Sequence, residues 1–200
     1  MPLRVVFAED NYLVREGTSA LLGSTSDVEL VAAVSDLDSL LAAVDEHRPD
    51  AVLTDIRMPP TNTTEGIEAA RLIRAEHPDI GVVVLSQYAE EDYAYELLRD
   101  GAAGLGYLLK ERVADVDELV RALHEVARGG SVLDPKVVEG LVSRRARAAR
   151  SPLGQLTERA VEKHINSLFH KLGLTEETDV HRRVMAVLSF LRETGHPATS

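Results

Sequence analysis

Five polar residues fall where short apolar runs stop and helical patterns begin. Glu9 and Asp10 follow "RVVFA", Asp55 ends "AVLTD", Ser86 ends "IGVVVLS" and Lys110 follows "GLGYLL". Taken singly, each has an ordinary explanation. Glu9 and Asp10 can cap the next helix, Asp55 can satisfy a turn, and Ser86 and Lys110 can simply be solvated. Gathered at the carboxyl edge of one sheet, where open α/β folds build their sites, they carry chemistry instead. Three carboxylates held close repel one another and require a hard divalent cation, so Glu9, Asp10 and Asp55 predict Mg²⁺. A carboxylate beside a metal can also act as a nucleophile and form an aspartyl-phosphate. Lys110 would balance charge on a transferred phosphoryl group, and the Ser86 hydroxyl would donate a hydrogen bond to it. The pattern predicts Mg²⁺-dependent phosphoryl transfer onto Asp55.

The elements that must position these residues are legible in the apolar patterning. Strand-like runs occur at "RVVFAED", "VELVAAVS", "AVLTDI", "IGVVVLS" and "GLGYLL". Most are β-branched and they lack polar alternation, as suits strands covered on both faces of a parallel sheet. Helical patterns lie between them at Tyr12–Leu22, Leu37–His47, Gly66–His77, Glu90–Asp100 and Val116–Arg128. Five βα units predict an α/β domain with a doubly wound five-stranded parallel sheet over residues 1–130. "DPKVVEGLVSRR" then reads as a helix with Pro135 in its first turn. It is followed by a basic linker, "SRRARAARSP", so that residues 131–152 connect the domain to a small all-α region over 153–200.

Composition narrows the function classes. The 200 residues are 44% hydrophobic and 28% charged, ordinary for a globular chain, and contain no cysteine. A disulfide framework and a thiolate zinc site are therefore excluded. No apolar run is long enough to span a bilayer and the first residues do not resemble a signal peptide, so a cytoplasmic location with no membrane partner is expected. The net charge of −11 is uneven: 12 Lys and Arg face 27 Asp and Glu over residues 1–143, against 10 facing 6 over residues 144–200. An acidic body repels nucleic acid, whereas the basic tail does not, which suggests two parts with different partners.

These motifs together resemble the receiver domain of a two-component response regulator. "AED" matches the acidic pair of that family, "LTDIRMPP" the phosphoacceptor segment, "VVVLSQY" the switch hydroxyl and "GYLLKE" the lysine. The resemblance implies Asp55 as phosphoacceptor, with Mg²⁺ held by Glu9, Asp10, Asp55 and the main-chain carbonyl of Arg57. It implies Ser86 and Tyr107 as a switch pair, the Tyr107 ring turning inward once Ser86 engages the phosphoryl group. Arg57 and Tyr88 lie where the family tunes autodephosphorylation. A sensor histidine kinase is the implied partner and a homodimer the implied assembly. Glu9 stands where aspartate is commoner, Glu111 follows Lys110 where many receivers have proline, and the loop "MPPTNTTEG" is long and Thr-rich. A turnover phosphohydrolase of the haloacid dehalogenase kind is disfavoured, because its second aspartate is replaced by Arg57. The chain is therefore expected not to be an enzyme beyond its own phosphorylation and dephosphorylation. A module that has lost phosphorylation fits poorly with all five site residues present.

The C-terminal region resembles part of a LuxR-type helix-turn-helix, the output domain of NarL/FixJ-class regulators. "AVEKHINSLFHKLGL" matches the recognition helix and "DVHRRVMAVLSFLRE" the final helix. Val161, Ile165, Leu168, Phe169 and Leu172 form an apolar stripe, with Gly173 as its stop. The carry-over suggests Lys163 and Asn166 as base-region contacts on promoter DNA, with His164 and Lys171 nearer the backbone. Family members place two helices before the recognition helix, yet here Thr157 runs directly into Glu158. A recognition helix needs that scaffold to hold it in the major groove. Either the helices are deleted, leaving a receiver that acts through protein contacts, or a stretch is missing from the sequence at that join. The second is preferred, since an uncovered apolar stripe is a liability.

Overall fold

The computed structural model describes residues 1–149, with side chains described through residue 143. The small all-α region read over 153–200 lies outside the described residues, as do Lys163, His164, Asn166 and Lys171. The chain divides into two units, Met1–Asp134 and Pro135–Ser200.

The first unit alternates strands and helices as the patterning requires. It runs β1 (Leu3–Ala8), α1 (Tyr12–Gly23), β2 (Val28–Val34), α2 (Leu37–His47), β3 (Ala51–Asp55) and α3 (Glu65–Glu76). It continues through β4 (Gly81–Ser86), α4 (Glu91–Leu98), β5 (Leu105–Leu109), a 3-10 turn at Lys110–Ala114, α5 (Val116–Ala127) and β6 (Val132–Leu133). The strands are all parallel, in the order β2-β1-β3-β4-β5-β6. β3, β4 and β5 are buried throughout, which explains their unbroken apolar runs, while β2 sits at the edge and is half exposed.

The sheet has six strands, not the five expected from the sequence. β6 extends it beside β5, pairing Val132 with Gly106 and Leu133 with Tyr107, within the span read as linker. Two residues carry no periodicity, so only their pairing with β5 makes them a strand. Its end is tied down twice: the Asp134 N–H donates to the Tyr107 carbonyl at 2.9 Å, and the fully buried Asp134 carboxylate accepts from Arg112 Nε at 2.9 Å.

α1 and α5 pack against each other on one face of the sheet, and α2, α3 and α4 follow one another on the opposite face. The core includes Val5, Phe7, Leu53, Val83 and Leu85 from the strands, against Leu22 of α1 and Leu119, Leu123 and Val126 of α5. The helical spacing in α5 thus faces the sheet as expected. Three helices start on side-chain caps: Asn11 accepts from Leu13 and Val14 N–H, Asp36 from Ser39, and Asp115 from Glu118. In the second unit α6 (Pro135–Ala149) begins at Pro135, in agreement with the helix read there.

Candidate functional site

Parallel register brings the site residues level with one another. Ala8 lies opposite Thr54, so Glu9 comes level with Asp55 at the ends of β1 and β3. Asp55 pairs with Leu85, placing Ser86 one step beyond it, and Ser86 pairs with Leu109, placing Lys110 one step further. No side chain in this arrangement is needed to cap α1, because Asn11 does so with its own carboxamide oxygen at 3.1 and 3.2 Å. The cap of α1 is therefore Asn11, and Glu9 Oε1 accepts the N–H of that cap residue at 3.3 Å.

Glu9 is fully buried and Asp55 is 7% exposed, while Asp10 faces solvent. One carboxylate oxygen from each of the three lies within 4.8 Å of the others. Lys110 Nζ bridges the buried pair, 2.8 Å from Glu9 Oε2 and 2.9 Å from Asp55 Oδ2. The other Asp55 oxygen accepts the Ile56 N–H at 2.8 Å. Arg15, not singled out in the sequence, donates to the Glu9 and Asp10 carbonyls at 2.7 and 3.3 Å and so ties α1 to the end of β1.

Burial pushes the Glu9 and Asp55 carboxyls above their ordinary values, with Lys110 pulling the other way. Burial by itself would depress the Lys110 ammonium, yet its bonds to the two carboxylates hold it above its usual value. One ammonium facing three carboxylates leaves two negative charges uncompensated. An all-oxygen acidic cluster of this kind can hold a hard divalent cation.

Ser86 and Tyr107 also meet here, through Tyr88. Ser86 Oγ donates to the Tyr88 carbonyl at 2.7 Å, and the Tyr107 hydroxyl donates to the same oxygen at 3.4 Å. Tyr107 is completely buried, so its ring already points inward while Ser86 is engaged with the backbone. Tyr88 itself is 61% exposed at the rim. The Arg57 side chain extends the other way, to Glu90 Oε1 at 3.0 Å and the Tyr93 hydroxyl at 3.3 Å. The Lys110–Glu111 peptide is trans; cis geometry occurs at Pro59–Pro60 among the described residues.

The loop from β3 to α3 holds a further buried carboxylate that sequence reading missed. Glu65 accepts the N–H groups of Thr61 and Thr63 and the hydroxyl of Thr61. Burial alone would raise its pKa, but these donors outweigh burial and bring it down to about 2. The Thr-rich run before a Glu-Gly pair was the available signal.

Burial pushes the Tyr107 phenol up to about 12, with Ser86 acting against the shift. An acid whose folded pKa is raised contributes stability below its unfolded value, near 10, and loses it as pH climbs toward the folded value. The stability advantage of the wild type over Tyr107→Phe should therefore shrink by about 2–3 kcal/mol between pH ~10 and ~12, as read by denaturant melts. A difference that stays constant over that range contradicts this account of the buried hydroxyl.

Known proteins share this fold. The response regulator receiver domain family matches residues 5–124, and the chain belongs to that family. It is 38% identical over 140 residues to the transcriptional regulatory protein DegU of Brevibacillus brevis, covering 70% of this chain and 56% of that one. It is 34% identical over 141 residues to the oxygen regulatory protein NreC of Staphylococcus carnosus (strain TM300), covering 70% of this chain and 62% of that one. The match thus spans little more than half the length of these regulators. The signal receiver domain of NarL from Mycobacterium tuberculosis superposes with a TM-score of 0.56 at 32% identity, covering 64% of this chain and 98% of that domain. The receiver resemblance drawn from the sequence holds. Among the described residues no helix is long and apolar enough to cross a membrane.

Proposed function

We propose that this chain is a phosphorylation-dependent response regulator that accepts a phosphoryl group from a sensor histidine kinase on Asp55 and controls transcription. The observation that carries this reading is the Asp55 carboxylate held by Lys110 Nζ at 2.9 Å, with Glu9 and Asp10 oxygens within 4.8 Å. A carboxylate oxygen of Asp55 forms a bond to phosphorus as the P–N bond of the phosphohistidine breaks. The electron pair passes to the imidazole nitrogen, and the product is an aspartyl-phosphate. Lys110 stays beside the new phosphoryl oxygens and offsets their charge. Ser86 exchanges its bond to the Tyr88 carbonyl for one to the phosphoryl group, and this exchange reports phosphorylation to Tyr107 and Tyr88. Glu9, Asp10, Asp55 and the Arg57 main-chain carbonyl would hold Mg²⁺, whose charge supports the transferring group. The role is that of a switch that takes up and loses its own phosphoryl group at Asp55, not a turnover enzyme.

The output reading draws on the LuxR-type resemblance and on the similarity to DegU and NreC, whose names describe regulators. Promoter contacts by Lys163, Asn166, His164 and Lys171, dimer formation and a cytoplasmic site of action belong to this proposal. The direct join of Thr157 to Glu158 favours, as a second reading, a regulator acting through protein contacts. The test is incubation of the full chain with labelled acetyl phosphate. The expected result is incorporation that hydroxylamine releases and EDTA prevents. Label that resists hydroxylamine, or that enters equally well in EDTA, overturns the reading. A mobility-shift titration with and without the phosphoryl donor decides between the two outputs.

Metal removal has its own expected signature. A ligand bound to the folded state alone at 100 times its Kd stabilises it by about 2.7 kcal/mol. Saturating Mg²⁺ should therefore raise the melting temperature by several degrees, roughly 5–10 °C for a unit of this size, with EDTA reversing the shift. Asp10→Asn should remove most of it; an unchanged shift in that variant would mean the cation binds elsewhere.

A further inference from the structure

The β3–α3 loop is wrapped around a charge that phosphoryl transfer itself does not use. Glu65, the first residue of α3, is only 3% exposed, a rare placement for a carboxylate. Its partners come from its own loop. Oε1 accepts the Thr61 N–H at 2.9 Å together with the Thr61 hydroxyl. Oε2 accepts the Thr63 N–H at 2.8 Å and the Met58 N–H at 3.4 Å.

The Met58 bond connects this carboxylate to the site. The Met58 N–H and the Arg57 carbonyl belong to one planar peptide group, and that peptide is trans. In a trans peptide the N–H and C=O point in opposite directions. Holding the Met58 N–H toward the first turn of α3 therefore aims the Arg57 carbonyl away from it. The neighbouring peptides are held as well: Ile56 N–H donates to Asp55 Oδ1 at 2.8 Å, and the Ile56 carbonyl accepts Gly66 N–H at 2.9 Å. The Asn62 N–H closes the loop onto the Met58 carbonyl at 3.0 Å.

We propose that Glu65 is a positioning residue of the divalent-cation site: by accepting the Met58, Thr61 and Thr63 N–H groups it orients the Arg57–Met58 peptide, and so the main-chain carbonyl offered to the cation beside Glu9, Asp10 and Asp55. The inference rests on the metal reading above. A carboxylate suits the task because it accepts on every lone pair, whereas an amide brings two donors into a nest of donors. Glu65 never touches the cation; it acts through the peptide, as outer ligands of metal sites do.

The experiment is calorimetric titration of Mg²⁺ into the full, metal-stripped chain, below the melting temperature of every variant compared. Glu65→Gln should raise the Kd for Mg²⁺ roughly tenfold or more and speed hydrogen exchange at the Met58 amide. If that variant does not fold, Thr61→Val decides, since it removes one hydroxyl donor from an exposed loop position. It should raise the Kd by roughly three- to tenfold. A melting temperature that falls while the Kd stays within about twofold of wild type assigns Glu65 a purely structural role and overturns the inference. Wild-type protein that binds no Mg²⁺, or an Asp10→Asn variant that binds it as well as wild type, overturns the metal reading and this inference with it. Tight wild-type binding that Glu65→Gln leaves unchanged overturns this inference alone.

Discussion

Asp55→Asn is expected to reduce phosphoryl incorporation to background while leaving the fold intact or slightly more stable. An asparagine carboxamide cannot form the acyl phosphate. The stability side follows from burial, which pushes the Asp55 carboxyl above its ordinary value despite Lys110. An acid with a raised folded pKa contributes stability at low pH and loses it as pH rises through that value. Burial therefore makes the ionised form of Asp55 the costlier one, a cost the fold tolerates at this position. The amide relieves the repulsion with Glu9 and keeps one oxygen for the Ile56 N–H, while Lys110, bonded to the other Asp55 oxygen, retains Glu9 as its partner. Incorporation measured with labelled acetyl phosphate, beside a thermal melt of the same sample, separates lost chemistry from lost folding. Label that persists in Asp55→Asn means another side chain is the nucleophile.

Gly66→Ala is expected to cause the largest loss of stability among single-methyl substitutions at the site. Gly66 lies in the first turn of α3, where its N–H reaches the Ile56 carbonyl at 2.9 Å. A Cβ built there would lie 1.9 Å from the Asp55 carbonyl oxygen and 2.8 Å from its carbon. Both are backbone atoms of the strand that carries the proposed phosphoacceptor, so no rotamer change relieves the clash. Alanine gains about 1 kcal/mol in helix propensity. Overpacking of this kind typically costs 1–3 kcal/mol and sometimes more; with rigid backbone on both sides we expect a net loss of about 3 kcal/mol or greater. Denaturant melts measure it, and phosphoryl incorporation should fall with it because the end of β3 must shift. A variant within about 1 kcal/mol of wild type would show that α3 can retreat from the strand.

Much of this was written in local pattern. Apolar runs without polar alternation, β-branched in β1, β3 and β4, identify these strands and β5 as buried and parallel, because a strand covered on both faces needs no polar side. Helical spacing places α5 and its buried stripe of Leu119, Leu123 and Val126. Glu9, Asp10, Asp55, Ser86 and Lys110 are visible because each follows or ends such a run, and the carboxyl edge of a parallel sheet gathers strand ends.

What the sequence by itself determined is thus the alternation of elements and the identity of the residues at their junctions, since both follow from periodicity a few residues long. Tertiary structure alone decided the rest. Val132 and Leu133 become a sixth strand only because β5 offers an unpaired edge beside them. The Glu9 carboxylate meets Lys110, 101 residues further along the chain, only because β1 and β5 end at the same edge of the sheet. Arg57 meets Glu90 and Tyr93 only when α4 is packed beside the end of β3. Glu65, an ordinary helix-start glutamate in sequence, becomes a buried carboxylate because its loop turns four donors onto it. A buried polar group must find its partners wherever the fold supplies them, and those partners are fixed by packing, not by spacing along the chain.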